Sequence, residues 1–382
     1  MTRVAVRPEL LRWACERSGR APDDLALRFR GLPRWLAGQE QPTFKQLEAF
    51  AKATHTPFGY FFLPEPPQER LPITDLRTFA GRPPRPSADL LETIYAMQQR
   101  SRWLSDERRE EGAEPLRFVG AARLDDDPVA IGQEMRRAVG LDERWAAAVS
   151  SWQAAVGELR RRIEDIGVLA VINGVVGNNT HRRLDVKEFR GFALVDPYAP
   201  LIFVNGADAK SAQMFTLAHE LAHLWLGPAG EGVSGFEGIF PGEDRVERFC
   251  DRAAAEFLVP AREFDAQWQH VKRAEDRFER LARHFKVSPI VAARRAVDLR
   301  LISREDFLHF YQEYTSREYQ HTKATGGDFY SNQHSRVGER FARRVIYAAL
   351  EGRITFKEAY ELTGLSSGAF QRYARRLGIA LP

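Results

Sequence analysis

The sequence predicts an α+β fold: a mainly helical, multidomain chain with a small sheet packed on one helix that carries His219-Glu220-Leu221-Ala222-His223. Three observations predict it. Apolar residues recur at helical spacing along most of the 382 residues,. Only the runs 168–172, 192–195 and 201–204 have the β-branched and aromatic content of strands,. Proline clusters, with Pro64, Pro66, Pro67 and Pro72 in one and Pro83, Pro84 and Pro86 in another, divide the chain,.

Composition bounds the class. A hydrophobic content of 44% with 11% aromatics suffices for well-filled cores, and the length suggests two or three domains,. No apolar run approaches a membrane span, and Arg3, Arg7 and Glu9 interrupt any signal-peptide core, so the expected location is cytoplasmic and no membrane partner is expected,. Cys15 and Cys250 are too few for a disulfide framework,. The net charge of +4 is distributed unevenly: +4 over residues 1–63, −5 over 64–335 and +5 over 336–382. Basic ends around an acidic middle suit flanking domains that meet nucleic acid, and arginines on solvated helix faces give the same sum.

Residues 1–76 read as a domain of short helices, with Pro22-Asp23-Asp24 and Pro42-Thr43 as helix starts,. The run 35–47 resembles the region after the recognition helix in phage-repressor-type (XRE-type) helix-turn-helix domains. Only residues 27–34, with Gly31 and Pro33, stand where a turn and a full recognition helix are needed, so the groove-reading helix is shortened or absent,. Arg28, Arg30, Arg34, Gln39 and Lys45 are candidate DNA contacts on this domain, through phosphates. Residues 77–167 read as a helical bracing region, with helices over 87–109, 128–139 and 150–167. Residues 168–262 hold the strands and the His219 helix. Residues 263–382 read as helical, with helix-turn-helix-like segments at 278–295 and 356–377 and a flexible loop over 322–332.

The chemistry lies at 219–223. Two imidazoles four residues apart share one helical face and can grip one zinc ion, while Glu220 can polarise water and carry its proton to a leaving amine. Met214, Leu217, Leu221, Leu224 and Trp225 make this helix apolar on nearly all sides, so the three polar groups are buried and need partners,. A catalytic zinc takes a third protein ligand. Glu247 is the candidate: it opens an Ala-rich helical stretch ended by Pro260, and the Gly-rich loop from Gly227 to Gly242 leaves room for the chain to reverse. Asp251, one turn later, can replace it or orient a ligating histidine. Glu243 and Asp244 are weaker candidates in the loop. His181 and Tyr198 are candidate oxyanion stabilisers, and an edge of the sheet could hold an extended peptide.

The residues 188–193 and 200–205, the helix 215–226 and the stretch 247–260 together resemble the ImmA/IrrE family of metallopeptidases. The resemblance implies a zincin-like core in which His219, His223 and Glu247 hold zinc and Glu220 is the catalytic base. It implies a protein substrate, a helix-turn-helix repressor or a cognate regulatory or toxin protein, in a setting of stress response, mobile elements or toxin-antitoxin systems. DNA is a further candidate partner through the terminal helical domains. The rival reading is a DNA-binding or antitoxin-like interaction protein whose zinc site is structural or vestigial. The retained Glu220 favours the enzyme, because a structural site has no use for a carboxylate that binds no metal.

Overall fold

The computed structural model describes residues 2–69, 86–142, 144–230, 233–234, 244–316 and 329–381. Pro72, Pro83, Pro84, most of the expected 227–242 loop, Glu243 and most of the expected 322–332 loop lie outside these residues. The chain divides into two units, one of residues 1–72 and 76–95 and one of residues 73–75 and 96–382.

The first unit contains α1 (Pro8–Arg17), α2 (Pro22–Arg28), α3 (Leu32–Leu36), α4 (Phe44–Ala53) and a 3-10 turn, Phe58–Phe62. Thr43 and Gln46 form a reciprocal capping box that starts α4,. Phe50 sits at the centre of this unit's core, its ring 5.5 to 6.3 Å from those of Phe29, Trp35 and Phe61. The stretch 27–34, too short for a turn and a full groove-reading helix, runs into α3, a helix of five residues and about 7.5 Å,. Leu32 and Trp35 of α3 are buried in that core, so it holds the domain together. Arg28, Arg30, Arg34, Gln39 and Lys45 are all exposed. Arg34 pairs with Glu40 at 3.1 Å, and Arg28 lies over the Phe29 ring.

The helix α5 (Ala88–Glu110) has residues in both units. The second unit continues with α6 (Pro128–Ala138), α7 (Trp145–Ala148), α8 (Trp152–Asp165), β1 (Leu169–Asn173), β2 (Val175–Val176), β3 (Asn179–Arg183), β4 (Gly191–Leu194) and β5 (Leu201–Asn205). Then come α9 (Lys210–Leu226), β6 (Val233–Ser234), α10 (Arg245–Leu258), α11 (Ala261–Val271), α12 (Arg277–Phe285), α13 (Pro289–Asp298) and α14 (Arg304–Ser316). The chain closes with α15 (Phe329–Val337), α16 (Glu339–Leu350), α17 (Phe356–Thr363) and α18 (Ser367–Arg376).

The main sheet has the order β1-β5-β4-β6. β1 runs parallel to β5, Leu169 opposite Leu201, and β4 and β5 form an antiparallel hairpin with Gly191 opposite Val204. β1, β4 and β5 are buried throughout, because α8 covers β1 and α9 lies on β4 and β5. β2 and β3 pair separately as a small hairpin. Among the described residues no helix is long and apolar enough to cross a membrane.

One hydrophobic core cluster draws on described residues from Ala122 to Phe307. The domain limits expected at 167 and 262 fall inside it, so the bracing helices and α11 to α14 are integral to the body that carries the sheet. The expected helix-turn-helix at 278–295 is part of this core. In α13 Ala292, Ala293 and Ala296 are buried, and Arg295 donates to the Val259 carbonyl at 2.9 Å and is ion-paired to the buried Glu256. Its inner face is used for packing, and only Asp298 at its end is exposed.

Candidate metal centre

The helix α9 is fixed at both ends. At its start the Gln213 side chain donates to the carbonyls of Gly206 and Asp208 at 3.1 and 2.7 Å. At its end Gly120 and Ala122 donate backbone N–H groups to the carbonyls of Leu224 and Trp225, at 3.0 and 2.8 Å, satisfying two acceptors that a helix terminus leaves open,. Phe118 stacks on Trp225 with ring centroids 4.5 Å apart. Gly227 ends the helix at φ +66, and a Cβ there would stand 2.6 Å from the Gly120 Cα, so both conformation and space require glycine,. Between these clamps every residue from Thr216 to Leu226 is buried.

Asp244 caps α10 by accepting from the Val246 N–H at 2.7 Å, which starts the helix just before Glu247,. Phe249, Cys250, Ala253 and Ala254 face the core, and Glu247 and Asp251 face α9. His219 Nε2 and His223 Nε2 are 2.9 Å apart; Glu247 Oε2 is 2.9 Å from the first, and Glu247 Oε1 is 3.4 Å from the second. Asp251 Oδ1 stands 3.0 Å from the other nitrogen of His219, Nδ1. Asp244 serves as a helix cap, and the described metal-type cluster consists of His219, His223 and Glu247.

The donor set fits one zinc ion. Ligand atoms about 2.0–2.1 Å from a tetrahedral ion lie about 3.3 Å from one another, close to the separations found. Two imidazole nitrogens and a carboxylate oxygen brought this close, with the histidines 5% and 2% exposed, turn lone pairs toward one point. A cation there satisfies all three. A carboxylate at His219 Nδ1 favours the tautomer whose Nε2 lone pair is available for a metal.

Glu220 is fully buried beside this cluster. Gly191 on β4 faces it: a Cβ at Gly191 would come within 3.0 Å of Glu220 Oε1, 2.6 Å of the Thr216 methyl and 2.8 Å of the Phe203 carbonyl. Sequence reading assigned Gly191 no role, although a lone glycine inside a strand-forming run signals close approach. The strap at 118–122 was missed as well, since it carries no motif.

Two expected residues are placed elsewhere. Tyr198 lies in the turn joining β4 to β5, beyond Leu194, while Glu220 meets the other end of β4 at Gly191. Three residues of strand separate those ends by about 10 Å,. Arg108 holds the Tyr198 carbonyl and Arg109 lies over its ring, so Tyr198 anchors α5 to the sheet and does not reach Glu220. His181 is exposed on β3 in the separate hairpin, whose turn residue Asn178 donates to the Gly364 carbonyl at 2.6 Å in the C-terminal region. One edge of the sheet is taken, over part of its length, by the chain itself. β6 already pairs with β4, Gly191 opposite Ser234 and Phe192 opposite Val233, so an incoming strand meets the chain's own backbone there.

No curated protein matches the chain. Residues 337–376, containing α16 to α18, match a domain of unknown function, DUF8813. Residues 164–297 match the model of peptidase family M78, described as the IrrE N-terminal-like domain. That segment runs from the end of α8 through α13 and contains the sheet, α9, α10 and the whole cluster, and the match supports an ImmA/IrrE-type peptidase domain within this chain.

Proposed function

We propose that this protein is a zinc-dependent endopeptidase that cleaves a regulatory protein of the helix-turn-helix repressor type. The observation that carries the reading is the convergence of His219, His223 and Glu247 beside the buried Glu220, inside the segment that matches a peptidase family. His219, His223 and Glu247 would hold the zinc, with Asp251 orienting His219. Zinc bound there would act as a Lewis acid and lower the pKa of water to near neutrality. Glu220 accepts a proton from the water that attacks the scissile carbonyl carbon. When the carbon–nitrogen bond breaks, it delivers that proton to the leaving amine. The β4 main chain aligns an extended substrate by taking a substrate strand in place of β6, which brings one carbonyl beside Glu220. The lack of any Cβ at Gly191 leaves Glu220 its room.

The regulatory role rests on the resemblance to the family, and the cytoplasmic setting on the interrupted N-terminus and the lack of a membrane-length apolar run in the sequence,. The test joins metal analysis to cleavage. Protein purified without chelators should carry about one zinc per chain. Glu220→Gln should keep that zinc and lose at least about a hundredfold of the cleavage of a co-expressed helix-turn-helix repressor, followed by mass spectrometry. A metal-free wild type, or a Glu220→Gln variant that cleaves normally, would refute the reading.

A further inference from the structure

The C-terminal helices α16, α17 and α18 form a compact trihelical unit. Its core contains Val345, Ile346, Leu362, Phe370 and Tyr373, and Tyr360 meets Phe370 edge-on with centroids 5.1 Å apart. Between α17 and α18 lies a three-residue turn that begins with left-handed Gly364 and ends at the cap Ser366. These are the proportions of a helix-turn-helix, and here, in contrast to α13, the second helix keeps an open face. Gly368, Gln371, Arg372, Arg375 and Arg376 recur at helical spacing and are all exposed. The helix contains no acidic residue. Among the described residues Arg372 and Arg375 make no ion pair.

The turn is fixed to the rest of the second unit. The buried Arg100 of α5 donates to the carbonyls of Leu362 and Arg336, each at 2.7 Å, and of Thr363 at 3.4 Å. Asn178, in the turn of the β2–β3 hairpin, donates to the Gly364 carbonyl and accepts from Gln333 and Arg336. The hairpin is thereby tied two residues before the cap of α18. Its second strand carries His181, Arg182 and Arg183, with His181 and Arg183 exposed, and residues 177–183 contain no acid.

We propose that α18 and the β2–β3 hairpin together form a duplex-DNA-binding surface, with α18 entering the major groove and the hairpin lying along the phosphate backbone as a wing. A ten-residue helix is about 15 Å long and fits a groove about 12 Å wide,. Gln371 and Arg372, nearer the helix N-terminus, have the chemistry to read adenine and guanine edges. Arg375, Arg183 and His181 suit phosphates. The surface rests on no part of the peptidase reading.

The test uses the full chain and a fluorescent mixed-sequence duplex of about 30 base pairs at about 50 mM salt, read by anisotropy. Wild type should bind with micromolar affinity that falls as salt rises. Arg372→Ala/Arg375→Ala should weaken it at least about tenfold and reduce the salt slope by about 1, the share of the phosphate contact of Arg375. His181→Ala/Arg183→Ala should weaken it about threefold, and Arg28→Ala/Arg30→Ala in the first unit should bind as wild type. Photo-crosslinking of the wild type to the same duplex needs no variant and should label peptides within 178–183 and 366–376. The proposal is overturned by no binding, by full binding of Arg372→Ala/Arg375→Ala, by crosslinks confined to the first unit, or by tighter binding of single-stranded RNA of the same sequence.

Discussion

At the scale of single residues, the chemistry was legible wherever it is local. His219 and His223 announce themselves because four residues of helix bring two side chains onto one face. Glu247 was reachable because a helix running back along the first presents its opening turn to the same face. Gly191 and Tyr198 were not, since their positions depend on how β4 lies on α9. If the proposed zinc site holds, Glu247→Ala should lose most of its zinc under mild chelation while its circular dichroism is unchanged, because Glu247 lies in the half-buried first turn of α10, ahead of the packed residues that begin at Phe249. For Gly191→Ala the added methyl meets Thr216, Glu220 and a backbone carbonyl. Overpacking of this kind costs about 1–3 kcal/mol, and the variant should melt earlier and, if the peptidase reading holds, cleave more slowly with zinc retained. A Gly191→Ala protein with wild-type melting and cleavage would show that β4 yields there.

At the scale of elements, local spacing told which stretches are helical and left open what each helix faces. The shortness of α3 could be read from Gly31 and Pro33. That α13 is enclosed and α18 open could not, because both have similar turns and similar alternation of alanine and arginine. The decisive partners, Glu256 for Arg295 and Arg100 for the α17 terminus, are distant in sequence. The seam of α8 with α16 contains a further distant contact, in which Arg340 pairs with Asp165 and Glu164 is buried near Gly338. Burial raises the Glu164 carboxyl from 4.5 to about 7, although Arg160 stands 2.6 Å away and pulls the other way. The folded chain thus holds a proton there that the unfolded chain releases earlier. Its contribution to stability is complete below about pH 4.5 and is lost as pH rises through about 7,. Denaturant midpoints should fall over that window, and Glu164→Gln should flatten the decline; an unchanged slope in the variant would assign it to other groups.

At the scale of the whole molecule, the fold class was legible because few segments have strand composition and many have helical spacing. The division of labour along the chain was less so: proline-rich stretches mark where the chain changes character, but nothing in composition shows that helices from α6 to α14 contribute to one core. The clamping of α9 has a consequence for exchange with solvent. Its first turn is bonded by Gln213, its last by the strap at 118–122, and the span between is buried, so the helix has no frayed end from which to open. Amide hydrogens from Leu217 to Leu224 should therefore exchange only when the entire domain unfolds, and metal bound at the proposed site should slow them further by stabilising the folded state. In the first turn of α10, around Glu247, chelation should add exchange through local opening. That pattern would mean that an ion enters and leaves by loosening the helix of Glu247 while both histidines stay in place.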